Sequence, residues 1–407
     1  MISFEKAYDI VISSEVLLQT ENIELANVLG RVLAQDVHSD MNMPPFDKSA
    51  MDGFACREAD LHMELEMIEV LAAGEIPKKK IETGECTKIM TGAMIPQGAD
   101  CVIMVEDTEI TAEGKIRYTK IERKNIEVCE ACAPSSKKTN KNICFLGEDV
   151  KLGEEVLKKG VVLKPQHLPI LASAGCANPL VYKKVSVGII ATGSELVEPH
   201  EKPGLSQIRN SNASQLVAQV MACGALPNYY GIAEDVEETT KNVLQKAVSE
   251  NDLVLLTGGV SMGDFDFVPL IMKELGFEIL FDSIAVQPGK PTTFAIKSGK
   301  FIFGLPGNPV SSFTQFELLT KPLIYKMMGH AYEPVHLKMP LEVGYSRKKA
   351  DRMSWIPVSI TKLGTILPAD YHGSAHINSL ASAHGFIAVP IGTKELNKGE
   401  LIDVRQI

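Results

Sequence analysis

Residues 252–266 read Asp-Leu-Val-Leu-Leu-Thr-Gly-Gly-Val-Ser-Met-Gly-Asp-Phe-Asp. The apolar run at 253–256 ends abruptly at Thr257-Gly258-Gly259. A short apolar run closed by a turn signal reads as a strand buried on both faces, as in parallel sheets. The glycines let backbone N–H groups approach a ligand closely. Ligands on open α/β sheets sit outside the carboxyl ends of strands, where this loop falls. Backbone donors suit a phosphate, and Asp264 and Asp266 a few residues on suit a hard cation such as Mg2+. The plain alternative is a Gly-rich turn with two solvated aspartates, so the rest of the chain has to decide.

Around this stretch, strands are expected at 185–191, 228–233, 253–257, 279–286 and 301–304. Helical patterns lie at 212–223, 237–249, 266–275 and 309–328. Such alternation implies a mostly parallel sheet, giving an α/β domain over 183–330. Residues 3–38 read as helix from apolar spacing, and 143–182 return to helical character, notably at 165–176. Together 1–43 and 143–182 form a discontinuous helical linker domain. Residues 44–142 carry short β-like runs at 68–71, 87–90, 101–105 and 116–119 and read as an inserted β domain. After Tyr332 the helical signal stops, and 331–407 reads as a separate C-terminal β domain. The expected fold class is multi-domain: a central α/β domain with a mostly parallel sheet, an N-terminal helical region with an inserted small β domain, and a C-terminal β domain.

The 407 residues carry 41 Lys+Arg against 51 Asp+Glu, a formal net charge of −10. That argues against a grip on nucleic acid, which needs clustered positive charge, but leaves room for a local basic pocket. No apolar run approaches the ~18 residues of a membrane span. The start, Met1 to Lys6, lacks a basic stretch followed by an apolar one, so a cytoplasmic location is expected. Most of the eight cysteines sit in apolar surroundings and read as small core residues of a reducing compartment. Cys129 and Cys132 form a C-x-x-C, with Cys144 nearby. They read as a chance pair on a loop.

Four loops converge on one rim of the expected sheet. Thr192-Gly193-Ser194-Glu195 follows the first strand, and the opening loop follows the third. Gln287-Pro288-Gly289-Lys290-Pro291 joins two strands and offers a lysine. Gly304-Leu305-Pro306-Gly307-Asn308-Pro309 follows the last strand and opens a helix. Asn212, in Arg209-Asn210-Ser211-Asn212, starts another helix and serves as an N-cap or an anion contact. Hydroxyls, glycines, a lysine and carboxylates on one rim fit a phosphate-bearing ligand with a divalent cation. Away from this rim, Asp47 and Asp52 in the turn-rich stretch 44–55 read first as turn caps. Thr91-Gly92 reads as a tight turn or an anion contact.

Read together, the segments resemble the molybdopterin molybdenumtransferase family, also called molybdenum insertase. P-P-F-D-K-S-A-M-D-G-F-A, T-G-A-M-I-P-x-G-A-D, T-G-S-E-L, T-G-G-V-S-M-G-D-F-D, P-G-K-P and G-L-P-G-N-P-V-S match its segments in order, over essentially the whole chain. The resemblance implies an elongated homodimer of four-domain subunits, with each pocket built by both subunits. It implies a reaction in which adenylylated molybdopterin and molybdate yield the metallated dithiolene and AMP, with Mg2+. It implies functional roles for Asp52, Thr91, Asp149, Glu195, Asp235, Asp264 and Asp266, with Mg2+ held by Asp264, Asp266 and Glu195. Substrate contacts are implied at Thr192, Gly193, Ser194, Gly258, Gly259, Ser261, Lys290, Pro306, Gly307 and Asn308. In the tail, Arg352, Ser374 and His376 fall at site positions. The implied partners are a molybdopterin adenylyltransferase and downstream apo-molybdoenzymes, with no nucleic acid and no membrane.

Two departures from the family pattern remove positive charge. The segment 142–149, Asn-Ile-Cys-Phe-Leu-Gly-Glu-Asp, has apolar residues where arginines are frequent. Ser283 and Gln287 stand where lysines are frequent before P-G-K-P. The alternatives to an insertase are a molybdopterin adenylyltransferase, since the rim loops serve both chemistries, and a non-catalytic scaffold. The additional N- and C-terminal domains favour the insertase.

Overall fold

A computed structural model describes residues 1–120, 141–234, 236–259, 268–369 and 373–407. The chain forms two compact units. The smaller comprises residues 36–158 and 166–177; the larger comprises 1–35, 159–165 and 178–407. The chain therefore leaves the larger unit after Gln35 and re-enters it at Lys159.

Helix α1 (Phe4–Ser13) is capped by Ser3, whose hydroxyl accepts from the Lys6 amide at 3.2 Å. The expected helix does not continue past it. Residues 14–35 run into short strands: Thr20–Asn22 pairs with Leu180–Tyr182, and Val32 and Leu33 bridge to Val162 and Val181. Likewise 143–164 holds the strands Ile143–Cys144 and Glu155–Leu157, and the helix near 165–176 shrinks to Leu168–Ser173. The apolar spacing there is genuine. The partners that turn it into strand lie far off in sequence, and β-branched Val32, Val162 and Val181 favour an extended backbone.

The smaller unit holds a six-stranded sheet of β1 (Gly53–Cys56), β2 (Glu64–Leu71), β3 (Glu85–Ile89), β4 (Cys101–Met104), β5 (Thr108–Ile110) and β6 (Ile116–Tyr118). Their order is β4-β1-β3-β2-β6-β5. Alternate residues split between its two faces: Phe54 and Cys56 pack with Cys101 and Ile103, while Ala55 packs with Ile89 and Val102.

In the larger unit, the first half of the α/β stretch holds β7 (Ser186–Thr192), α2 (Ser211–Ala222), β8 (Leu226–Ala233), α3 (Glu237–Glu250), β9 (Leu253–Thr257) and α4 (Val268–Glu274). Then come β10 (Glu278–Phe281), β11 (Val286–Gln287), β12 (Thr293–Lys297), β13 (Lys300–Leu305), α5 (Pro309–Gln315) and α6 (Lys321–Met327). The main sheet has the order β8-β7-β9-β13-β12-β10. The pairs among its first four strands are parallel; those that add β12 and β10 are antiparallel. β9 shows why its run is unbroken: Leu253 and Leu255 enter one core, and Val254 and Leu256 enter the core on the opposite face.

The expected strand at 279–286 is two strands in two sheets. The polar pair Asp282-Ser283, with the Ser283 hydroxyl donating to Asp282 at 2.9 Å, interrupts it. Strand β12 lay hidden in a Thr- and Lys-flanked segment without clean alternation. Between α5 and α6 the backbone makes a π-helical turn, Phe316–Thr320.

The tail adds β14 (His336–Pro340), β15 (Met353–Ile360), β16 (Ile366–Pro368), β17 (Gly385–Val389) and β18 (Leu401–Gln406). They form a second sheet, β11-β15-β17-β18-β14, with β16 beside β15. Its edge strand β11 comes from the α/β stretch, and Trp355 and Phe386 of the tail join the core that contains Leu253 and Phe303. The C-terminal sheet thus shares a strand and a core with the α/β stretch inside the larger unit. Among the described residues, no helix is long and apolar enough to cross a membrane.

Candidate functional site

The ends of β7, β9 and β13 lie side by side and point the same way, so three of the expected loops share one rim. Thr192 closes β7, and its buried hydroxyl faces the Thr257 carbonyl at 3.5 Å. Gly258 follows at φ +93°, and a Cβ there would stand 2.3 Å from the Thr192 carbonyl. Only glycine fits that approach. The Gly258 amide donates to the Leu305 carbonyl at 3.2 Å, tying β9 to the start of Leu305-Pro306-Gly307. Pro306 is buried; Gly307 and Asn308 are exposed at the entry of α5. Gly193 allows the turn after Thr192, with φ +150°. Ser194 and Glu195 are exposed just beyond it. Gly259, at φ +61°, continues the third loop up to the last described position before 268.

Asn212 is the joint of this rim. The N-cap of α2 is Asn210, which accepts from the Ala213 amide at 3.1 Å. Asn212, 8% exposed, instead donates from Nδ2 to the Thr257 hydroxyl and to the Gly307 carbonyl, both at 2.7 Å. Its Oδ1 is buried and has no partner among the described residues. The capping role read from sequence thus belongs two residues earlier. The Asn212 contacts were not legible because their partners come from two distant loops.

The Pro288-Gly289-Lys290 turn is anchored from beneath. Gln315 of α5, fully buried, donates to the Pro288 carbonyl at 3.0 Å, and the Thr292 hydroxyl donates to Gly289 at 2.8 Å. Lys290 is exposed and, with Ser283, Lys273 and Thr293, lines a cavity of about 740 Å³. Gln287 lines a different one, of about 380 Å³. There it meets Arg352, Arg347, Lys348 and Lys349, with Ser354 and Gly373. Four cations and no carboxylate stand among the described lining residues, in a chain of net charge −10. Arg352 also reaches the Val286 carbonyl, at 3.4 Å, and has Asp351 3.8 Å from its Nε. The sequence reading found Arg352 by resemblance but passed over Arg347, Lys348 and Lys349. The available signal was four cations within six residues, 347–352.

Ser374 is half-buried, and its carbonyl accepts from the Val310 amide in the first turn of α5 at 3.1 Å. This places the Gly373-Ser374 stretch beside the loop that carries Gly307. His376 is half-buried, and its carbonyl accepts from the Ser379 hydroxyl at 2.7 Å.

In the smaller unit, Asp52 and Thr91 meet. Asp52 Oδ1 accepts from the Thr91 amide and from its hydroxyl, each at 2.7 Å. These bonds, the side-chain one foremost, hold the Asp52 carboxyl below the usual carboxylate range. Asp47 accepts from the Leu146 amide at 2.7 Å, so both it and Asp52 tie distant segments together rather than capping a local turn. Asp149 is exposed, and its amide donates to the Met43 carbonyl.

Asp235, Ser261, Asp264 and Asp266 lie outside the described residues, as do Cys129 and Cys132. Of the three carboxylates expected around Mg2+, Glu195 alone is described, exposed just beyond the end of β7. Among the described residues, no group of three or more His, Cys, Asp or Glu stands together to hold a metal ion.

Family models match three stretches of the chain. These are the MoeA N-terminal region (domain I and II) at 2–175, a probable molybdopterin binding domain at 188–326 and the MoeA C-terminal region (domain IV) at 344–407. A molybdopterin molybdenumtransferase of Staphylococcus epidermidis is 36% identical over 413 aligned positions, covering 99% of this chain and 95% of that protein. One from Staphylococcus aureus is 34% identical over 414 positions, with the same coverage. The crystal structure of a molybdopterin biosynthesis moeA protein from Pyrococcus horikoshii OT3 superposes with a TM-score of 0.82 at 31% identity, covering 100% of both chains.

Proposed function

This chain belongs to the molybdopterin molybdenumtransferase family, enzymes of molybdenum cofactor biosynthesis, and from that premise we propose how its residues divide the work. The observation that carries the proposal is the pairing of a strand-end rim with an adjoining basic cavity in one compact unit. The rim, at Thr192, Gly258, Gly307 and Asn308, takes the phosphate-bearing part of adenylylated molybdopterin, because its glycines leave the backbone open to close approach and Gly307 and Asn308 are exposed. The basic cavity, with Arg352 and the nearby Ser374, takes molybdate, because a tetrahedral dianion needs converging cations. Lys290 approaches from the neighbouring turn. Gly193, Ser194, Gly259, Ser261, Pro306 and His376 complete the substrate contacts.

Glu195, Asp264 and Asp266 would hold Mg2+, and carboxylate oxygens are the ligand class that this ion prefers. The ion would supply charge neutralisation for the leaving AMP. Asp235 is assigned a role in the same chemistry. Asp52, kept ionised by Thr91, acts from the smaller unit, and the working form is a homodimer whose subunits build each pocket jointly. The finer domain scheme follows the family: a linker region, an inserted β domain, the α/β domain and the C-terminal β domain. The cytoplasm is the proposed location.

Whole-chain similarity to insertases favours this reading over an adenylyltransferase or a scaffold. The experiment offers two substrate sets. With adenylylated molybdopterin, Mg2+ and molybdate, the protein should release AMP; with ATP and molybdopterin it should form no adenylylated product. The reverse pattern would replace the insertase with the adenylyltransferase.

A further inference from the structure

All three guanidinium nitrogens of Arg347 are bonded to its own fold. Nε donates to the Thr393 carbonyl at 2.7 Å, and Nη2 donates to the Pro390 carbonyl. Nη1 donates to the Arg352 carbonyl at 2.8 Å and to the Ser354 hydroxyl. All four acceptors are uncharged, so none of them cancels the charge of the cation that lines the cavity. Two of them bracket Met353 at the start of β15. From the other side, the Met353 amide donates to the Ala285 carbonyl at 3.0 Å, and Val286 and Gln287 pair with Met353 and Ser354. The first residues of β15 are thus clamped between β11 and one arginine. Arg352 is the residue that this clamp presents to the cavity.

We propose that Arg347 is a positioning residue for the oxyanion end of the site: it fixes the Arg352 backbone so that the Arg352 side chain stands beside Gln287 in the basic cavity. The inference rests on the assignment of Arg352 to molybdate. It adds a residue that never needs to touch the ion. The requirement for arginine is geometric. A planar fork of five donors can serve four acceptors in three directions, whereas a lysine ammonium has three donors on a single atom.

The test measures AMP release by the full-length protein against molybdate and, separately, against adenylylated molybdopterin. Arg352→Ala is the reference and should raise the molybdate concentration for half-maximal rate about tenfold or more, the scale of a charge-assisted contact. Arg347→Ala and Arg347→Lys should do the same, with the half-saturation for adenylylated molybdopterin unchanged and the rate recovered at high molybdate. Arg347→Gln, which keeps a planar donor, provides a soluble substitute if the alanine variant does not fold. Should Arg352→Ala keep the wild-type molybdate dependence, the assignment of the cavity fails first. Should Arg352→Ala respond while the Arg347 variants do not, or should they weaken both substrates equally, the positioning role is overturned.

Discussion

A single carboxylate oxygen, Asp52 Oδ1, accepts both the amide and the hydroxyl of Thr91, each at 2.7 Å. Two segments that the sequence separates by 39 residues thus meet at one atom. Thr91→Val removes the hydroxyl donor and should move the Asp52 titration midpoint up toward the ordinary ~3.9, while Thr91→Ser should leave it low. For a lowered carboxylate the sign is fixed. The interaction is fully present above the unfolded pKa and is lost as pH falls through the lowered folded value. Carbon-detected NMR of the carboxyl reads the midpoint. An unchanged midpoint in Thr91→Val would mean that the hydroxyl bond is not held in solution.

Asn212 supplies the next prediction. Its amide joins the Thr257 hydroxyl to the Gly307 carbonyl. In Asn212→Asp the carboxylate confronts the Gly307 carbonyl, leaving a buried acceptor unpaired. The expected cost is about 1–3 kcal/mol of stability, read from urea unfolding. A loss of turnover should accompany it, because both loops belong to the rim. Full activity in Asn212→Asp would show that the loops keep their places without this joint.

Within the π-helical turn, Glu317 is held by Lys321 and by Gln219, each at 2.8 Å. Burial pushes the Lys321 ammonium down, but Glu317 more than offsets this, so its pKa ends above the usual lysine value. A raised pKa means that the stabilisation is complete below the unfolded value and fades as pH rises through the folded one. Lys321→Met alone should cost about 3–5 kcal/mol, because Glu317 is left uncompensated, and pairing it with Glu317→Leu should restore much of that. Urea midpoints of the two variants decide this, and equal midpoints would contradict it.

The sequence disclosed the α/β core best. Its strands are short apolar runs, and helical spacing recurs between them, so β9 and α3 fall almost where expected. The N-terminal stretch misled because Val32 and Val162 form a local pattern whose meaning depends on partners remote in sequence. For the same reason β11 was read as the end of a longer strand, although it serves the C-terminal sheet. Loop glycines and Arg352 were legible from motif order. Asn212, Gln315 and Arg347 were not, since a positioning residue has no motif of its own and declares itself only through its acceptors.

Subunit mixing tests the jointly built pocket. Asp52→Ala and Asp266→Ala subunits, each inactive alone, should recover part of the activity when exchanged, because one pocket in a mixed dimer keeps both carboxylates. No recovery, with exchange verified by mass, would put all of the machinery in one subunit.

The most direct measurement joins product to use. The purified protein is incubated with adenylylated molybdopterin, Mg2+ and molybdate. AMP release and activation of an apo-molybdoenzyme are then followed in the same tube. Both signals should require molybdate and rise together, and Arg352→Ala should suppress both at limiting molybdate. AMP release that is indifferent to molybdate, with the apo-enzyme left inactive, would contradict both expectations.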